Sequence, residues 1–240
     1  MFPISPLPET EPPHDCPLCP RLVAFRHDCR AEFPDWWNAP VQAFGDPDAR
    51  IAIIGLAPGK HGANRTGRPF TGDFAGLLLF ETLEKFGLTD GTYDARIDDG
   101  FRLKGAIIVN AVKCLPPQNK PTPAEIHTCR RFLETQVAAL PNARVFVALG
   151  AIAHQSAVKV LGGRLPKCRF GHLNEHVMPD GRVLIDSYHC SRYNQNTGRL
   201  TRAMFEAVFE RAAILSSPVL TYNLAGPDAT SSGMLPLDAP

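Results

Sequence analysis

Apolar residues along this chain fall into two kinds of run that alternate. Four short runs rich in β-branched residues, at 50–56, 105–112, 144–149 and 182–187, have the length and makeup of buried strands. Between and after them, apolar positions return at helical spacing over 74–86, 122–140, 151–161 and 201–215. That alternation predicts an α/β fold of three layers, α/β/α, around a mainly parallel central sheet of about four strands. The stretch "HVMPDGRVLID" is a local exception, because its Pro-Asp-Gly turn between two apolar runs predicts a hairpin into the last strand. There is no internal repeat, and residues 1–215 read as a single domain. Residues 1–15 carry five prolines and predict an extended arm, while 216–240, rich in Pro, Ser, Gly and Ala, predicts a disordered tail.

Open parallel sheets bind ligands beyond the carboxyl ends of their strands. Four segments follow or end a predicted strand: the loop "GLAPGKHGANRTGRPFTGD" at 55–73, "NAVKC" at 110–114, "LGAIAH" at 149–154 and "SYHCSRYNQNTGR" at 187–199. The expectation is that they converge on one edge of the sheet.

Composition narrows the setting. The 240 residues have a formal net charge of +1, so any nucleic-acid surface must be a local basic patch. No apolar run of membrane-spanning length occurs, and the N-terminus lacks the basic-then-apolar order of a signal peptide. A soluble cytoplasmic protein is expected, without a membrane partner. Seven cysteines without a secretion signal point to free thiols or metal ligands rather than disulfides. Cys16 and Cys19 form a C-x-x-C, and Cys114 and Cys129 are the next pair able to face them. Four thiolates suit zinc or an iron-sulfur cluster equally, and ligand count does not separate the two. Cys29 is a candidate substitute.

The opening loop is one residue short of a phosphate cradle. "GLAPGK" has three residues between its glycines where a P-loop needs four, and His61 stands where a Ser or Thr would hold magnesium. A P-loop-like phosphotransferase is therefore kept only as a distant third reading.

The same loop closely resembles the first motif of the family 5 (B-type) uracil-DNA glycosylases, in which "GLAPG" is followed by an aromatic and "TGD". "HCSRYNQNTGRLT" at 189–201 resembles the second motif, and "NAVKCLPPQNKPTPAEIHTC" the segment between them. The resemblance runs from Cys16 to about Phe209. It implies a 4Fe–4S cluster held by Cys16, Cys19, Cys114 and Cys129, with zinc as the alternative. The cluster's expected task is to sew the proline-rich arm to the loop and helix after the second strand.

The resemblance also implies a DNA glycosylase that flips uracil into a pocket and hydrolyses its glycosidic bond, with hypoxanthine among the further bases it would accept. The base site would comprise Gly55, Ala57, Phe70, Asn110 and His189. Phe70 would stack on the base, and the Asn110 amide, with one acceptor and two donors, suits a uracil edge. His189 would donate to the base's O2 as negative charge develops there. Ala57 stands where most related families carry a water-orienting carboxylate or asparagine, which leaves Asp73 as the nearest carboxylate. Asp73 also precedes the helix "FAGLLLFETL" and has the residue type of an N-cap, so capping and catalysis compete for it. Arg65, Arg68, Ser191, Arg192 and Arg199 would face the DNA, with Tyr193, Asn194 and Gln195 filling the gap left by the flipped nucleotide. Lys60 keeps a Schiff-base lyase step open. A monomer is expected, and the competing reading is a non-catalytic metal-cluster module that binds nucleic acid.

Overall fold

The computed structural model describes residues 10–217. In chain order its elements are α1 (Pro20–Glu32), β1 (Phe44–Gly45), β2 (Ile51–Gly55), α2 (Ala63–Thr66), α3 (Phe74–Lys85), β3 (Thr89–Asp90), β4 (Arg102–Leu103), β5 (Ala106–Asn110), α4 (Pro123–Ala138), β6 (Val145–Leu149), α5 (Ala151–Val160), β7 (Glu175–Val177), β8 (Val183–Ser187), α6 (Arg192–Asn196) and α7 (Arg202–Ser216). The six-stranded sheet has the order β1-β5-β2-β6-β8-β7. Its four central strands are parallel, in register from Ile51↔Ala106 and Ile51↔Val145 outward to Val145↔Val183. These are the four strands read from the apolar runs. The Pro-Asp-Gly hairpin forms the antiparallel β7–β8 edge, and two-residue β1 closes the other edge antiparallel to β5. β1 is too short to leave a periodic signal.

Period-two alternation sorts the strand residues into two cores. Ile51, Ile53, Ala106, Ile108, Val145, Val147 and Ile185 face Leu78, Leu79 and Leu83 of α3 and Phe205, Val208 and Phe209 of α7. Ala52, Ile54, Ile107, Val109, Phe146, Ala148 and Leu184 face Leu133 and Val137 of α4 and Ala153, Ala157 and Val158 of α5. The result is the expected three layers. Helix starts follow the local chemistry: Thr122 and Glu125 form a capping box at α4, and Thr201 accepts from Met204 N–H at α7.

Helix α1 was not legible as an element. Only Leu22, Arg26 and Cys29 of its residues are buried, so its sequence lacks an apolar stripe. The extended-arm expectation for residues 1–15 falls in part on 1–9, which lie outside the described residues, as does the tail expectation from residue 218 onward. Over 10–15 the chain packs against the domain, with buried Glu11 accepting from Ala43 N–H at 2.7 Å. Ser216 itself closes α7 rather than opening a tail. Among the described residues, no helix is long and apolar enough to cross a membrane.

Candidate active site and four-cysteine centre

Strands β2, β5, β6 and β8 end side by side, and the loops that leave them wall one open pocket of about 490 Å³. Ala57, Phe70, Asp73, Asn110, His189, Ser191 and Arg192 line it together. The parallel ladder continues past the strand ends, with Ala111 N–H donating to Gly55 O and Val112 N–H to Leu56 O. Gly55 lies under the Asn110 side chain, since a Cβ on Gly55 would fall 2.3 Å from Asn110 Oδ1. Among the described residues, neither the Asn110 amide nor the His189 ring has a hydrogen-bond partner. Both are open to the pocket.

Phe70 is held in a left-handed conformation, φ +58°, which is unusual for an aromatic residue and costs on the order of 1–2 kcal/mol. The surroundings impose it. A Cβ on Gly76 would fall 1.8 Å from the Phe70 carbonyl oxygen, so the helix approaches there only because residue 76 is glycine. Tyr93 Oη accepts from Gly72 N–H at 3.2 Å and donates to Phe70 O at 3.4 Å. The Phe70 and His189 rings lie near parallel, their centroids 6.1 Å apart. Burial pushes the His189 pKa below the ordinary imidazole value, which keeps the ring neutral.

Asp73 occupies the N-cap position of α3, yet its side chain makes no capping hydrogen bond. The carboxylate turns back over the opening loop instead, where a Cβ on Gly62 would fall 2.0 Å from its Cγ. Burial raises its pKa, against the Ala63 backbone N–H, His61 and Arg65, which lower it. The opening glycines therefore make room for a carboxylate rather than for a phosphate.

The residues expected to face DNA divide into three sets. Arg65, Arg192, Tyr193 and Arg199 are exposed, with the Arg192 guanidinium 4.7 Å from the Phe74 ring and Arg199 4.7 Å from the Tyr188 ring. Ser191, Asn194 and Gln195 brace the loop itself: Ser191 Oγ caps α6, Asn194 Nδ2 donates to His189 O at 2.8 Å, and Gln195 Nε2 donates to Cys190 O at 2.7 Å. Asn194 and Gln195 each commit one amide N–H to the backbone and remain partly exposed. Arg68 is a correction. It is buried and paired with Asp99 through two hydrogen bonds of 2.8 and 2.7 Å, with Phe44, Tyr93 and Phe101 around it. A guanidinium so enclosed reaches no phosphate; it braces the Phe70 loop, donating from Nε to Thr71 Oγ1 at 2.6 Å. Lys60 pairs with Glu32 at 3.1 Å over the Phe33 ring and does not line the pocket.

Asn119 lines the pocket and was missed. It ends a 3₁₀ turn, Pro117–Asn119, with φ +57°, and "PPQN" signalled only a turn. Tyr93 and Asp99 were missed as well, because their roles depend on a contact with a loop some thirty residues earlier.

Cys16, Cys19, Cys114 and Cys129 line one small apolar cavity together with Leu22, Arg26 and Phe132. Cys29 is buried elsewhere on α1 and does not line it. Burial, with the neighbouring thiols, pushes Cys114 up to about 12 and Cys19 up to about 11. Lys113 N–H donates to Cys129 Sγ at 3.3 Å. Arg26 is the informative neighbour. It is buried, its Nε has no partner, one terminal nitrogen stands 3.9 Å from Cys114 Sγ and the other donates to Cys16 O at 3.1 Å. A buried guanidinium without a carboxylate needs a nearby anion, and a metal-thiolate centre is one. The donor set fits such a group. Ala57 packs against this thiol core on one side and lines the pocket on the other.

A profile described as the uracil DNA glycosylase superfamily matches residues 42–213, and the chain belongs to that superfamily. Within it, a Type-5 uracil-DNA glycosylase of Thermus thermophilus is 47% identical over 208 residues, 84% of this chain and 94% of the relative. A second, of Pyrobaculum aerophilum, is 40% identical over 203 residues, 83% and 88% of the two chains. A Type-4 uracil-DNA glycosylase of Thermotoga maritima is 34% identical over 166 residues, 68% and 77% of the two chains.

Proposed function

We propose that this protein flips uracil out of DNA and hydrolyses its N-glycosidic bond, leaving an abasic site for repair. The observation that carries the reading is the convergence of Phe70 and Asp73 from one loop, Asn110 from a second and His189 from a third around one pocket, with the Asn110 amide and the His189 ring without hydrogen-bond partners among the described residues. Uracil stacks on Phe70 while the Asn110 amide pairs with its N3–H and O4. As the C1′–N1 bond breaks, its electron pair passes to the base, and the neutral His189 ring donates a hydrogen bond to the O2 that takes up the charge. Water completes the displacement at C1′ and loses its proton to Asp73, whose raised pKa makes it the stronger base. The pocket's 490 Å³ also leaves room for a purine such as hypoxanthine.

The thiol site holds a 4Fe–4S cluster in this reading, through Cys16, Cys19, Cys114 and Cys129. Four cysteines around one cavity and a buried Arg26 whose Nε has no partner among the described residues support a metal-thiolate centre, and the family resemblance favours the iron-sulfur cluster over zinc. The cluster is structural: it joins α1 to the loop and helix that follow β5.

The test is alkaline strand cleavage of a fluorescent oligonucleotide carrying one uracil. His189→Ala is expected to cost about 2.7–4 kcal/mol of barrier, a loss of roughly 100- to 1000-fold. Cleavage lost with His189→Ala but retained with Asp73→Ala would remove Asp73 from the chemistry. No cleavage of uracil or hypoxanthine by iron-replete protein would overturn the enzyme reading and leave the binding module.

A further inference from the structure

Among the described residues no hydrogen bond aims the His189 ring, which has only the Phe70 ring beside it, so its position depends on how its backbone is held. Hydrogen bonds at successive residues hold that stretch, including Ser187 Oγ donating to Tyr188 O at 2.8 Å. Ser187 O accepts from Gly150 N–H at 2.8 Å, and His189 O and Cys190 O accept from Asn194 and Gln195. Tyr188 N–H, in turn, donates to His172 Nδ1 at 3.2 Å as the chain leaves β8. We propose that His172 is a positioning residue for His189, acting through that acceptor; the proposal rests on the glycosylase reading of the pocket.

Both ring nitrogens of His172 have partners with only one role to play. Tyr188 N–H can only donate, so Nδ1 carries no proton. Met204 O, 3.2 Å from Nε2, can only accept, so Nε2 carries it. The ring is therefore the neutral Nε2–H tautomer, a state that burial favours by lowering its pKa. It bridges the first turn of α7 to the residue before His189, and it stacks on the Tyr188 ring with centroids 5.2 Å apart.

The segment that carries His172 is itself fastened to β8. Gly171 N–H donates to Asp186 Oδ2 at 3.2 Å, Leu173 N–H to Asp186 O at 2.8 Å, and Asp186 N–H to Asn174 O at 2.9 Å. Asp186 is wholly buried, and it also takes His154 Nδ1 at 2.6 Å and His176 Nε2 at 2.9 Å. His154 Nε2 faces the Cys168 carbonyl at 3.0 Å, so His154 donates from both nitrogens and forms an imidazolium paired with Asp186. Hydrogen bonds centred on the Asp186 carboxylate thus hold the group together. The outcome is a rigid bracket behind the pocket: Asp186 fixes the 171–174 segment, and His172 passes that fixity to Tyr188 and His189.

Two near-isosteric variants separate positioning from mere packing. In His172→Asn the amide oxygen takes the place of Nδ1 and can still accept from Tyr188; in His172→Gln the amide reaches the Nε2 position instead. Single-turnover excision, DNA affinity and melting temperature are measured on iron-replete protein. The Asn variant is expected to keep the excision rate, and the Gln variant to lose roughly 10- to 100-fold, the scale of a misplaced reacting group, with DNA affinity unchanged. Equal losses in the two variants, or a loss confined to DNA affinity, would overturn the proposal. Should the Gln variant fail to fold, ¹⁵N NMR of the wild-type ring decides: an Nε2–H tautomer supports the bracket, and an Nδ1–H tautomer ends it. A His189→Ala variant with an undiminished rate would instead defeat the role of His189, and the NMR result would stand apart from it.

Discussion

Replacing Asp99 with asparagine tests the strut beneath the Phe70 loop. The carboxylate receives four hydrogen bonds, two from Arg68 at 2.8 and 2.7 Å and one each from the backbone N–H groups of Asp94 at 3.1 Å and Phe101 at 3.0 Å. The side chains of Arg68 and Asp99 are only 5% and 2% exposed, so Asp99→Asn strands a guanidinium among three aromatic rings. Breaking a buried pair from one side costs about 3–5 kcal/mol, against about 0–1 kcal/mol for an exposed pair. At roughly 2–4 °C per kcal/mol for a chain of this size, calorimetry should show a melting point lower by about 6–20 °C. Arg68→Met combined with Asp99→Leu should recover most of the loss, because apolar side chains of similar volume suit the same aromatic walls. Burial opposes the effect, but Arg68 and the two backbone N–H groups still bring Asp99 from 3.8 down to about 2. A depressed carboxylate contributes stability that is present above its unfolded value and lost as pH falls through the folded one. The gap between wild type and Asp99→Asn should therefore be constant near neutrality and close between about pH 4 and pH 2. A deficit under about 1 kcal/mol that does not change with pH would refute the buried-strut account.

Other predictions concern the pocket and the thiol site. Gly62→Ala would set a methyl 2.0 Å from the Asp73 Cγ, so the carboxylate must move; excision should fall roughly 10- to 100-fold in a folded protein, and an unchanged rate would take Asp73 out of the mechanism. Burial raises the Asp73 pKa, so single-turnover excision should fall as pH drops through a value above 3.8, while Asp73→Asn should be slow and flat over the same range. Stripping iron from the proposed cluster should raise amide exchange selectively in α1, whose buried residues are Leu22, Arg26 and Cys29, and leave β2, β5 and β6 protected; uniform loss of protection would show that the cluster supports the whole fold.

The sequence by itself determined the layers. Strands β2, β5, β6 and β8 are apolar on both faces because each is buried between two helical layers, and that continuous apolar run is legible without knowledge of any partner. It also determined that the loops after those strands share an edge, since parallel strands bring their carboxyl ends to one side. The resemblance of those loops to the glycosylase motifs then singled out Phe70, Asn110, Asp73 and His189 before any distance was known. The roles of individual polar side chains were not legible in this way. Arg68 and Arg65 stand three residues apart in one loop, and only the closed fold buries the first against Asp99 and leaves the second outside. Asp73 has the residue type and position of a helix cap, yet its carboxylate turns toward Gly62, a choice made by the path of the returning loop. Helix α1 forms without an apolar stripe because its inward face meets only a small cluster of thiols with Val112 and Phe132, through Leu22 and Arg26. His172 and Asp186 carry no motif at all. Their roles come from hydrogen bonds between distant segments, which depend on tertiary distance and direction, whereas apolar burial leaves its periodicity in the chain itself.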